Sequence, residues 1–452
     1  MQDLTQGKIF PQLARLALPI MGTGFLQLAY NITDILWLGR LNGEAVAAAS
    51  AAGFLIWITF ALSFVTKIGA EVSIAQAIGR KKLMWLRFLG ANTIVISLIL
   101  SVLVMAALFV FMQPIVGFFQ LPQNISEMCM DYLSIFAVAM PMWMLVPTIT
   151  GIFNGAGNSK IPFYTGCVGL TLNVVLDPLL IFGIGFFPNM GLRGAAWATA
   201  ISIVVECILM IILLHHKKTT PYPNFRFFAP LQRRLSLQIL RMGAPAALQH
   251  SLFAFFSMTV TRIAAGVGGY VGVAVQGAGG QIESLSWTTA TGVGTALGAY
   301  IGQNYGAQKM DRVIKSFTLG VTGISAVGLL IGVLFFFWGR EIFAGVVPND
   351  LNIIDAGARY LWILSLSEVF LCAEIASSGA FNGLGKSYIS ASVGIVFNGL
   401  RIPLALLFSR WWGLEGVWWA ISISTVAKGI ILTTAFPFFA HHIKKNVTFV
   451  SI

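Results

Sequence analysis

The chain has 452 residues, of which 57% are hydrophobic and 10% are charged, and its formal net charge is +12. Soluble domains usually carry roughly a quarter charged residues, so this composition excludes an ordinary soluble protein. The basic residues lie in short clusters between apolar runs and not in one patch, which argues against a nucleic-acid-binding protein.

Apolar runs long enough to cross a hydrocarbon core of about 30 Å recur along the whole chain. The first begins near Leu13, contains Asn31 and Asp34, and is expected to be a retained span because no small-residue cleavage site follows a short apolar core. The runs predict an all-α polytopic membrane protein with twelve transmembrane helices. These are expected near residues 12–38, 46–75, 88–111, 130–151, 162–186, 194–215, 243–265, 270–301, 314–338, 357–380, 388–409 and 414–439.

Positive charge collects in alternate loops, for example at 80–82 and 217–218. By the positive-inside rule, both termini and the long loop at 216–242 face the cytoplasm, as expected for a multi-pass protein of the plasma (inner) membrane. That loop combines prolines, aromatic residues and many cations at the midpoint of the chain. We therefore interpret the domains as an N-terminal six-helix bundle at 1–215, a cytoplasmic basic linker at 216–242 and a C-terminal six-helix bundle at 243–452.

The two halves of the sequence resemble one another. "AQAIGRKK" at 75–82 matches "GQNYGAQK" at 302–309, "FNGAGNSK" at 153–160 matches "FNGLGKSY" at 381–388, and "GLRGAAWATAIS" at 191–202 matches "GLEGVWWAISIS" at 413–424. The nearly constant offset indicates a duplicated six-span unit. Because an even number of spans returns each copy to the same side, a pseudo-two-fold axis along the membrane normal is expected, with a cleft between the bundles that opens by alternating access.

Two acids lie inside predicted spans of the first half only. In the repeat alignment Asp34 falls opposite about Val260, and Asp177 falls opposite Ile402. A structural role shared by both halves would be expected to leave a polar residue in the second copy, so the asymmetry favours function. An ionisable group at the centre of a span costs roughly 2.5–3.5 kcal/mol and tends to face a bundle interior or a wet cavity.

Side chains with oxygen atoms accompany both acids. Gln27, Asn31 and Asp34 share one helical face, and Asn173 and Asp177 share another because they are four residues apart. Two carboxylates, amides and a hydroxyl suit either a hard cation such as Na⁺ or a shared proton. The alternative is that each acid is hydrogen-bonded or salt-bridged and has only a structural role. The residues predicted to hold Na⁺ are Asp34, Asn173, Asp177 and Thr199.

The second half carries its own intramembrane charges at Glu283, Glu368, Glu374, Arg401 and Lys428. They could pair among themselves or line a substrate cleft, and Glu283 and Glu374 are the best substrate candidates among them.

Met140 and Trp143, on either side of Pro141 and Met142, are further candidates for a pliable apolar cleft that would suit aromatic ligands. Packing or contact with lipid is the alternative for both.

In these motifs the chain resembles the multidrug and toxic compound extrusion (MATE) family of secondary transporters over essentially its whole length. The resemblance rests on "LALPIMGTGFLQLAYNITDILWLG", "IGAEVSIAQAIGRKK", "FNGAGNSKIPF", "LNVVLDPLLIFG" and "GLRGAAWATAIS". It implies twelve helices in two bundles and export of organic, usually cationic, compounds in exchange for H⁺ or Na⁺.

The DNA-damage-inducible-F-like branch of that family looks closest, because it has an acidic pair in the N-terminal bundle. The norfloxacin-exporter branch instead has an acid in the seventh span, and "GAPAALQHSLFAFF" here has none. The resemblance implies a cation-coupling role for Asp34, Asn173, Asp177 and Thr199, with Gln27 and Tyr30 at matching positions.

A lipid-linked oligosaccharide flippase of the same superfamily is the main alternative, although its cleft would be expected to be strongly cationic. A membrane-embedded enzyme would need a catalytic constellation, and the sequence shows none. A channel is disfavoured because the acids occur in one half only.

The four cysteines give neither a metal spacing nor a disulfide framework. We expect a monomeric antiporter without a resident cofactor, acting on small organic substrates within membrane lipid.

Overall fold

The computed structural model describes residues 3–118, 121–222, 225–348 and 350–445, without the side chains of residues 54, 83 and 118. Within these ranges the chain is all-α and forms eleven helices. They are α1 (Ile9–Leu41), α2 (Gly43–Gly79), α3 (Leu83–Phe118), α4 (Gln123–Gly155), α5 (Lys160–Phe182), α6 (Leu192–His215), α7 (Arg233–Gly306), α8 (Met310–Val346), α9 (Leu351–Ser365), α10 (Glu368–Gly383) and α11 (Ser387–Lys445).

Nine of the helices found in the described residues are long and apolar enough to cross a membrane, and the bent pair α9 and α10, at 54°, would be a tenth. The count differs from the twelve predicted spans because α7 and α11 each cover two of them. Each of these helices is interrupted by a single residue with non-helical geometry, Gly269 (φ 56°, ψ −139°) in α7 and Gly413 (φ 56°, ψ −134°) in α11. Glycine is suited to these breaks because it lacks the Cβ that makes positive φ costly.

The duplicated motifs adopt the same unusual backbone geometry. Lys81 and Gln308, at matching positions in "GRKK" and "GAQK", both have positive φ, at 56° and 64°. Such values are uncommon outside glycine. Gly157 and Gly385, in the matching "FNGAG" and "FNGLG" motifs, have φ of 78° and 74°. The repeated geometry supports the duplication inferred from the sequence.

A close helix contact fixes the register between the two copies. A Cβ added to Gly194 on α6 would collide with the carbonyl oxygen of Leu180 on α5, and one added to Gly416 would collide in the same way with the carbonyl oxygen of Phe408. These glycines let two backbones approach each other directly. Leu180 and Phe408 are therefore equivalent positions.

This register corrects the sequence alignment at the fifth span. Asp177 is equivalent to the fully buried Ala405 and not to Ile402. The error arose because the first copy joins α5 to α6 through a loop after Phe182, whereas the second copy continues through one non-helical residue, Gly413. The conclusion that the second copy lacks the acid is unchanged, because Ala405 is apolar.

The contacts divide the chain into two compact units. The first contains Gly22–Ala247, and its largest apolar cluster includes Ile149 and Phe153. Among the described residues, the second contains 3–21 and 248–445. Residues 3–21 thus belong with the second unit and linker residues 216–242 with the first, a division that the sequence did not indicate.

Polar contacts hold the N-terminal segment within the second unit. Arg312 donates to the carbonyl oxygens of Leu4, Gln6 and Gly7 at 3.3, 3.3 and 2.9 Å and also hydrogen-bonds the Tyr300 hydroxyl. The backbone amide of Leu4 donates to the Gln303 side chain at 3.0 Å. Leu4 is fully buried, so the segment is packed against the second unit as well as hydrogen-bonded to it.

Candidate functional site

Three helices of the first unit bring the predicted cation-binding residues together. Asp34 lies on α1, Asn173 and Asp177 lie one turn apart on α5, and Thr199 lies on α6. Asn173 and Asp177 are fully buried, and Thr199 is 6% exposed. The helical spacing of four residues places the α5 pair on one face, as the sequence indicated.

Hydrogen bonds join three of these four side chains, and Asp34 lies beside them. Asn173 donates from Nδ2 to Asp177 Oδ1 at 3.2 Å and to Thr199 Oγ1 at 3.4 Å. Asp34 lies close enough to Asp177, Asn173 and Thr199 to interact with their side chains. The amide of Asn173 is therefore oriented with its nitrogen toward the cluster partners and its oxygen free.

Several buried oxygen atoms of the cluster have no hydrogen-bond partner among the described residues. They are Asp34 Oδ1, Asp177 Oδ2, Asn173 Oδ1 and the Tyr30 hydroxyl. Buried polar atoms are nearly always satisfied in proteins, so such a group requires an explanation, for which an ion is one candidate. Carboxylate and amide oxygens are ligands that hard cations prefer, and a carboxylate pair also suits a shared proton. These oxygen ligands therefore fit the predicted cation.

The other α1 residues predicted for this site are placed differently. Tyr30 is half-buried and close enough to Asp34 and Asp177 to interact with them electrostatically. Gln27 and Asn31 have exposed side chains, and no hydrogen bond within the described part of the chain joins them to the aspartates. The structure thus brings Tyr30 to the acids but not Gln27 or Asn31.

A third acid, Glu206 on α6, lies next to this cluster and was not among the predicted site residues. It is 8% exposed. A Cβ placed on Gly169 of α5 would be 2.6 Å from the Tyr30 hydroxyl and 2.9 Å from Glu206 Oε2, so these two oxygens converge on the same glycine. Glu206 lies seven residues after Thr199, which is two helical turns on the same face of α6. That spacing is the sequence signal that could have identified Glu206.

The charged residues of the second unit largely pair with one another. Lys428 Nζ lies 2.9 Å from Glu374 Oε2 in a buried ion pair and donates to Asn398 Oδ1 at 3.0 Å. Glu283 accepts a hydrogen bond from the Tyr360 hydroxyl at 3.4 Å and interacts electrostatically with Arg401. Of the two substrate candidates, Glu374 is thus neutralised by its lysine.

Hydroxyl groups and a further carboxylate complete this buried set. Arg401 donates to Ser424 Oγ at 2.7 Å and to Thr425 Oγ1 at 2.9 Å. Glu368 is also buried here, at 1% exposed. The two hydrogen bonds of Arg401 satisfy a charge that would otherwise be costly to bury.

The apolar cleft candidates lie within the packed core of the first unit. Met140 is fully buried in a cluster with Phe136 and Met144. Trp143 is half-buried, and its ring contacts Phe136 edge-on at a centroid distance of 4.7 Å. In this conformation Met140 is a packing residue, whereas Trp143 retains some accessible surface.

Membrane-length helices around an acidic cluster are typical of proteins that move ions or substrates across a membrane. The MatE family profile matches residues 19–179 and 245–407. The chain therefore belongs to the MatE, or multidrug and toxic compound extrusion, family, whose members are transporters and not enzymes.

The similar proteins cover nearly the whole chain. "Probable multidrug resistance protein YpnP" of Bacillus subtilis is 26% identical over 93% of this chain and 93% of its own. "Probable multidrug resistance protein NorM" of Thermotoga maritima is 25% identical over 91% of this chain and 88% of its own. These names do not specifically support the DNA-damage-inducible-F-like branch, which stays a prediction.

Solved structures share the fold. One described as an outward-facing conformation of a multidrug resistance MATE family transporter of the MOP superfamily has a TM-score of 0.92. Its sequence is 23% identical, and the match covers 98% of each chain. A MOP superfamily transporter from Pyrococcus furiosus, described as having a binding pocket of reversed polarity, gives a TM-score of 0.91 at the same identity and coverage.

Proposed function

We propose that this MATE-family transporter exports organic, mostly cationic or amphiphilic compounds in exchange for H⁺ or Na⁺. The observation that carries the proposal is the buried cluster of Asp34, Asn173, Asp177 and Thr199, whose partnerless oxygens match a cation site. The multidrug resistance names of the YpnP and NorM relatives support the substrate class.

We expect the cation and the substrate to bind best to different conformations of the cluster. This difference would couple the movement of one to the movement of the other. Asp34 and Asp177 bind the cation from outside, and the bound cation changes the contacts among α1, α5 and α6 so that the substrate is released. Inward movement of one monovalent cation yields about 2.3 kcal/mol per 100 mV of membrane potential, enough for a gradient of roughly forty-fold in an uncharged substrate. Substrate binding and cation binding are then linked through one pair of carboxyl groups.

The proposal includes twelve membrane spans in two six-helix bundles related by a pseudo-two-fold axis along the membrane normal. The breaks at Gly269 and Gly413 support it, because each divides one long helix where the sequence predicts two spans. The alternating positive loops support cytoplasmic termini in a plasma (inner) membrane protein. We propose that the transporter acts as a monomer.

The position of the acids supports the DNA-damage-inducible-F-like branch, because Asp34 and Asp177 lie in the first and fifth predicted spans. The match to the MatE family favours an exporter over the lipid-linked oligosaccharide flippase. Neither Gln27 nor Asn31 is needed for the proposed cation site.

The test measures ethidium accumulation in cells that lack their own exporters and produce the wild type, Asp34→Asn or Asp177→Asn at equal membrane levels. Wild type should lower accumulation, and both variants should abolish the effect. Asp131→Asn is the matched control, because Asp131 is an acid of the same unit that pairs at the surface with Arg193 at 2.6 Å. Ethidium export by Asp177→Asn at the wild-type rate would contradict the proposal. Varying external Na⁺ and pH identifies the coupling ion.

A further inference from the structure

The two copies of the repeat begin with matching basic segments. "KIFPQLARLALP" at 8–19, the first basic segment, matches "RLSLQILRMGAP" at 234–245, the second basic segment. Each has a cation at its first position, a second cation seven residues later and a proline at its end. The recurrence of the cations in both copies indicates a role that the copies share.

The recurring cations are Lys8 and Arg15 in the first segment and Arg234 and Arg241 in the second, and all four side chains are exposed. Seven residues are two helical turns, so Arg234 and Arg241 lie on one face of α7. Lys8 directly precedes α1, and Arg15 lies two turns further along the chain. Among the described residues, no ion pair joins any of the four to an acid. Each segment therefore presents two cations that are available to an outside anion.

Other side chains of each basic segment are packed into the fold. Leu13 is 5% exposed and belongs to an apolar cluster of the second unit. Ile239 is fully buried in the first unit, and a Cβ added to Gly69 of α2 would lie 2.7 Å from its carbonyl oxygen. Both segments are therefore fixed against their units, so the exposed cations have defined positions.

Hydrogen bonds also hold the start of the second basic segment. Asn92 Oδ1 on α3 accepts from the backbone amide of Gln232 at 2.8 Å and from Ser236 Oγ at 3.3 Å. The first basic segment follows directly on the residues that Arg312 binds through their carbonyl oxygens. Both segments are thus anchored by polar contacts just before or within their first turn.

The basic segments lie where a membrane begins. Arg15 and Arg241 are at the start of the first and seventh predicted spans, at the level expected for lipid headgroups. Exposed apolar side chains lie between the cations of each segment, with Phe10 at 65% and Leu237 at 55% exposure. A helix that exposes cations beside apolar side chains is typical of the interface between headgroups and acyl chains.

We propose that the two basic segments are binding sites for anionic phospholipid headgroups, one site in each copy of the repeat. The cations bind the lipid phosphate, and arginine suits this role because its planar guanidinium group can donate two parallel hydrogen bonds to phosphate. Phe10 and Leu237 contact the upper part of the acyl chains. The inference goes beyond the proposed function, because it requires neither the cation cluster nor the exported compound. Only the leaflet, which is the cytoplasmic one, rests on the proposed orientation of the chain.

The experiment mixes the detergent-solubilised full-length chain with equal amounts of phosphatidylglycerol and phosphatidylcholine. Native mass spectrometry then counts the lipids of each kind that stay bound to one chain. Wild type should retain phosphatidylglycerol over phosphatidylcholine by roughly fivefold or more, because each cation near a membrane surface favours anionic lipid. The excess should shrink as ammonium acetate is raised, because salt screens exposed charges.

Charge-neutral variants test each site separately. Lys8→Gln with Arg15→Gln should remove about half of the phosphatidylglycerol excess, and Arg234→Gln with Arg241→Gln should remove the other half. The variant with all four changes should bind the two lipids equally. Arg234→Lys with Arg241→Lys keeps both charges and should keep most of the excess.

Arg340→Gln with Arg359→Gln is the matched control, because it also removes two exposed positive charges. These arginines already pair with Asp355 and Glu415 at 3.0 and 3.2 Å. The control should therefore keep the wild-type excess of phosphatidylglycerol. A loss as large as that of either double variant would show that net charge alone attracts the lipid and would overturn the two sites.

Other results would also overturn the proposal. They are equal retention of the two lipids by wild type and an unchanged phosphatidylglycerol excess in the variant with all four changes. Full displacement of phosphatidylglycerol by an equal concentration of inorganic phosphate or of poly-glutamate would instead assign the segments to free anions or to an acidic protein. Because the lipid count requires no transport, failure of the exporter proposal would leave its outcome unchanged.

Discussion

The carboxyl groups of Asp34 on α1 and Asp177 on α5 lie close enough to interact electrostatically, and one oxygen of each has no hydrogen-bond partner among the described residues. Two neighbouring carboxyl groups repel each other when both are charged, so a proton or a bound cation is needed to keep them together. We propose that the coupling ion binds this pair as one unit. Since the two residues lie on different helices, the bound ion would hold α1 and α5 together at this point.

Removing the Thr199 hydroxyl should weaken binding of the coupling ion without unfolding the protein. Thr199→Val keeps the shape of the side chain but removes the hydroxyl that accepts a hydrogen bond from Asn173 Nδ2. A hydrogen bond is worth about 1 kcal/mol, so the half-saturating concentration of the ion should rise roughly fivefold. Ethidium export at graded ion concentrations measures the change.

Thr171→Val is the matched control for this experiment. Thr171 lies on α5, is exposed and donates to the carbonyl oxygen of Cys167 at 2.8 Å. It should leave the half-saturating concentration unchanged. Equal values for Thr199→Val and Thr171→Val would show that Thr199 does not belong to the cation site.

Breaking the buried ion pair of the second unit should destabilise the protein strongly. Lys428→Met leaves Glu374 charged and unpaired at a site where both side chains are less than a tenth exposed. Removing one partner of a buried pair typically costs about 3–5 kcal/mol, whereas replacing both with apolar residues is often neutral. The thermal midpoint of unfolding in detergent should therefore fall for Lys428→Met and recover in the double variant with Glu374→Met. A double variant as unstable as the single one would rule out a pairing role.

Releasing the N-terminal segment should expose it to proteolysis. Arg312→Ala removes the bonds to the carbonyl oxygens of Leu4, Gln6 and Gly7, so trypsin should cleave after the exposed Lys8 several times faster. Arg340→Ala is the control, because Arg340 pairs with Asp355 at 3.0 Å on the surface of the same unit. Such pairs contribute little stability. Equal cleavage rates in the two variants would contradict the docking role of Arg312.

The sequence allowed prediction of what depends on local spacing. Asn173 and Asp177 share a face of α5 because they are four residues apart, and the apolar runs indicated an all-α membrane protein. The repeat motifs were recognisable because matching residues recur at a nearly constant offset, and the positive φ shared by Lys81 and Gln308 supports that match. These features need no knowledge of how helices pack against one another.

Other features could not be predicted because they depend on tertiary packing or loop length. The proximity of Glu206 to Tyr30 exists only because Gly169 lets the two side chains meet across α5. The alignment of Asp177 with Ile402 was wrong because the two copies join their fifth and sixth spans differently. The assignment of residues 3–21 to the second unit depends on the contacts of Arg312, which no periodicity reveals.

The most direct test of the cation-coupling claim follows ethidium and the coupling ion in the same proteoliposomes, with a pH indicator and a Na⁺ indicator inside and an imposed membrane potential. Wild type should move ethidium in one direction and H⁺ or Na⁺ in the other at a fixed ratio, and Asp177→Asn should abolish both movements. Counter-movement of the ion at the wild-type ratio in Asp177→Asn would contradict the assignment of coupling to the Asp34–Asp177 pair.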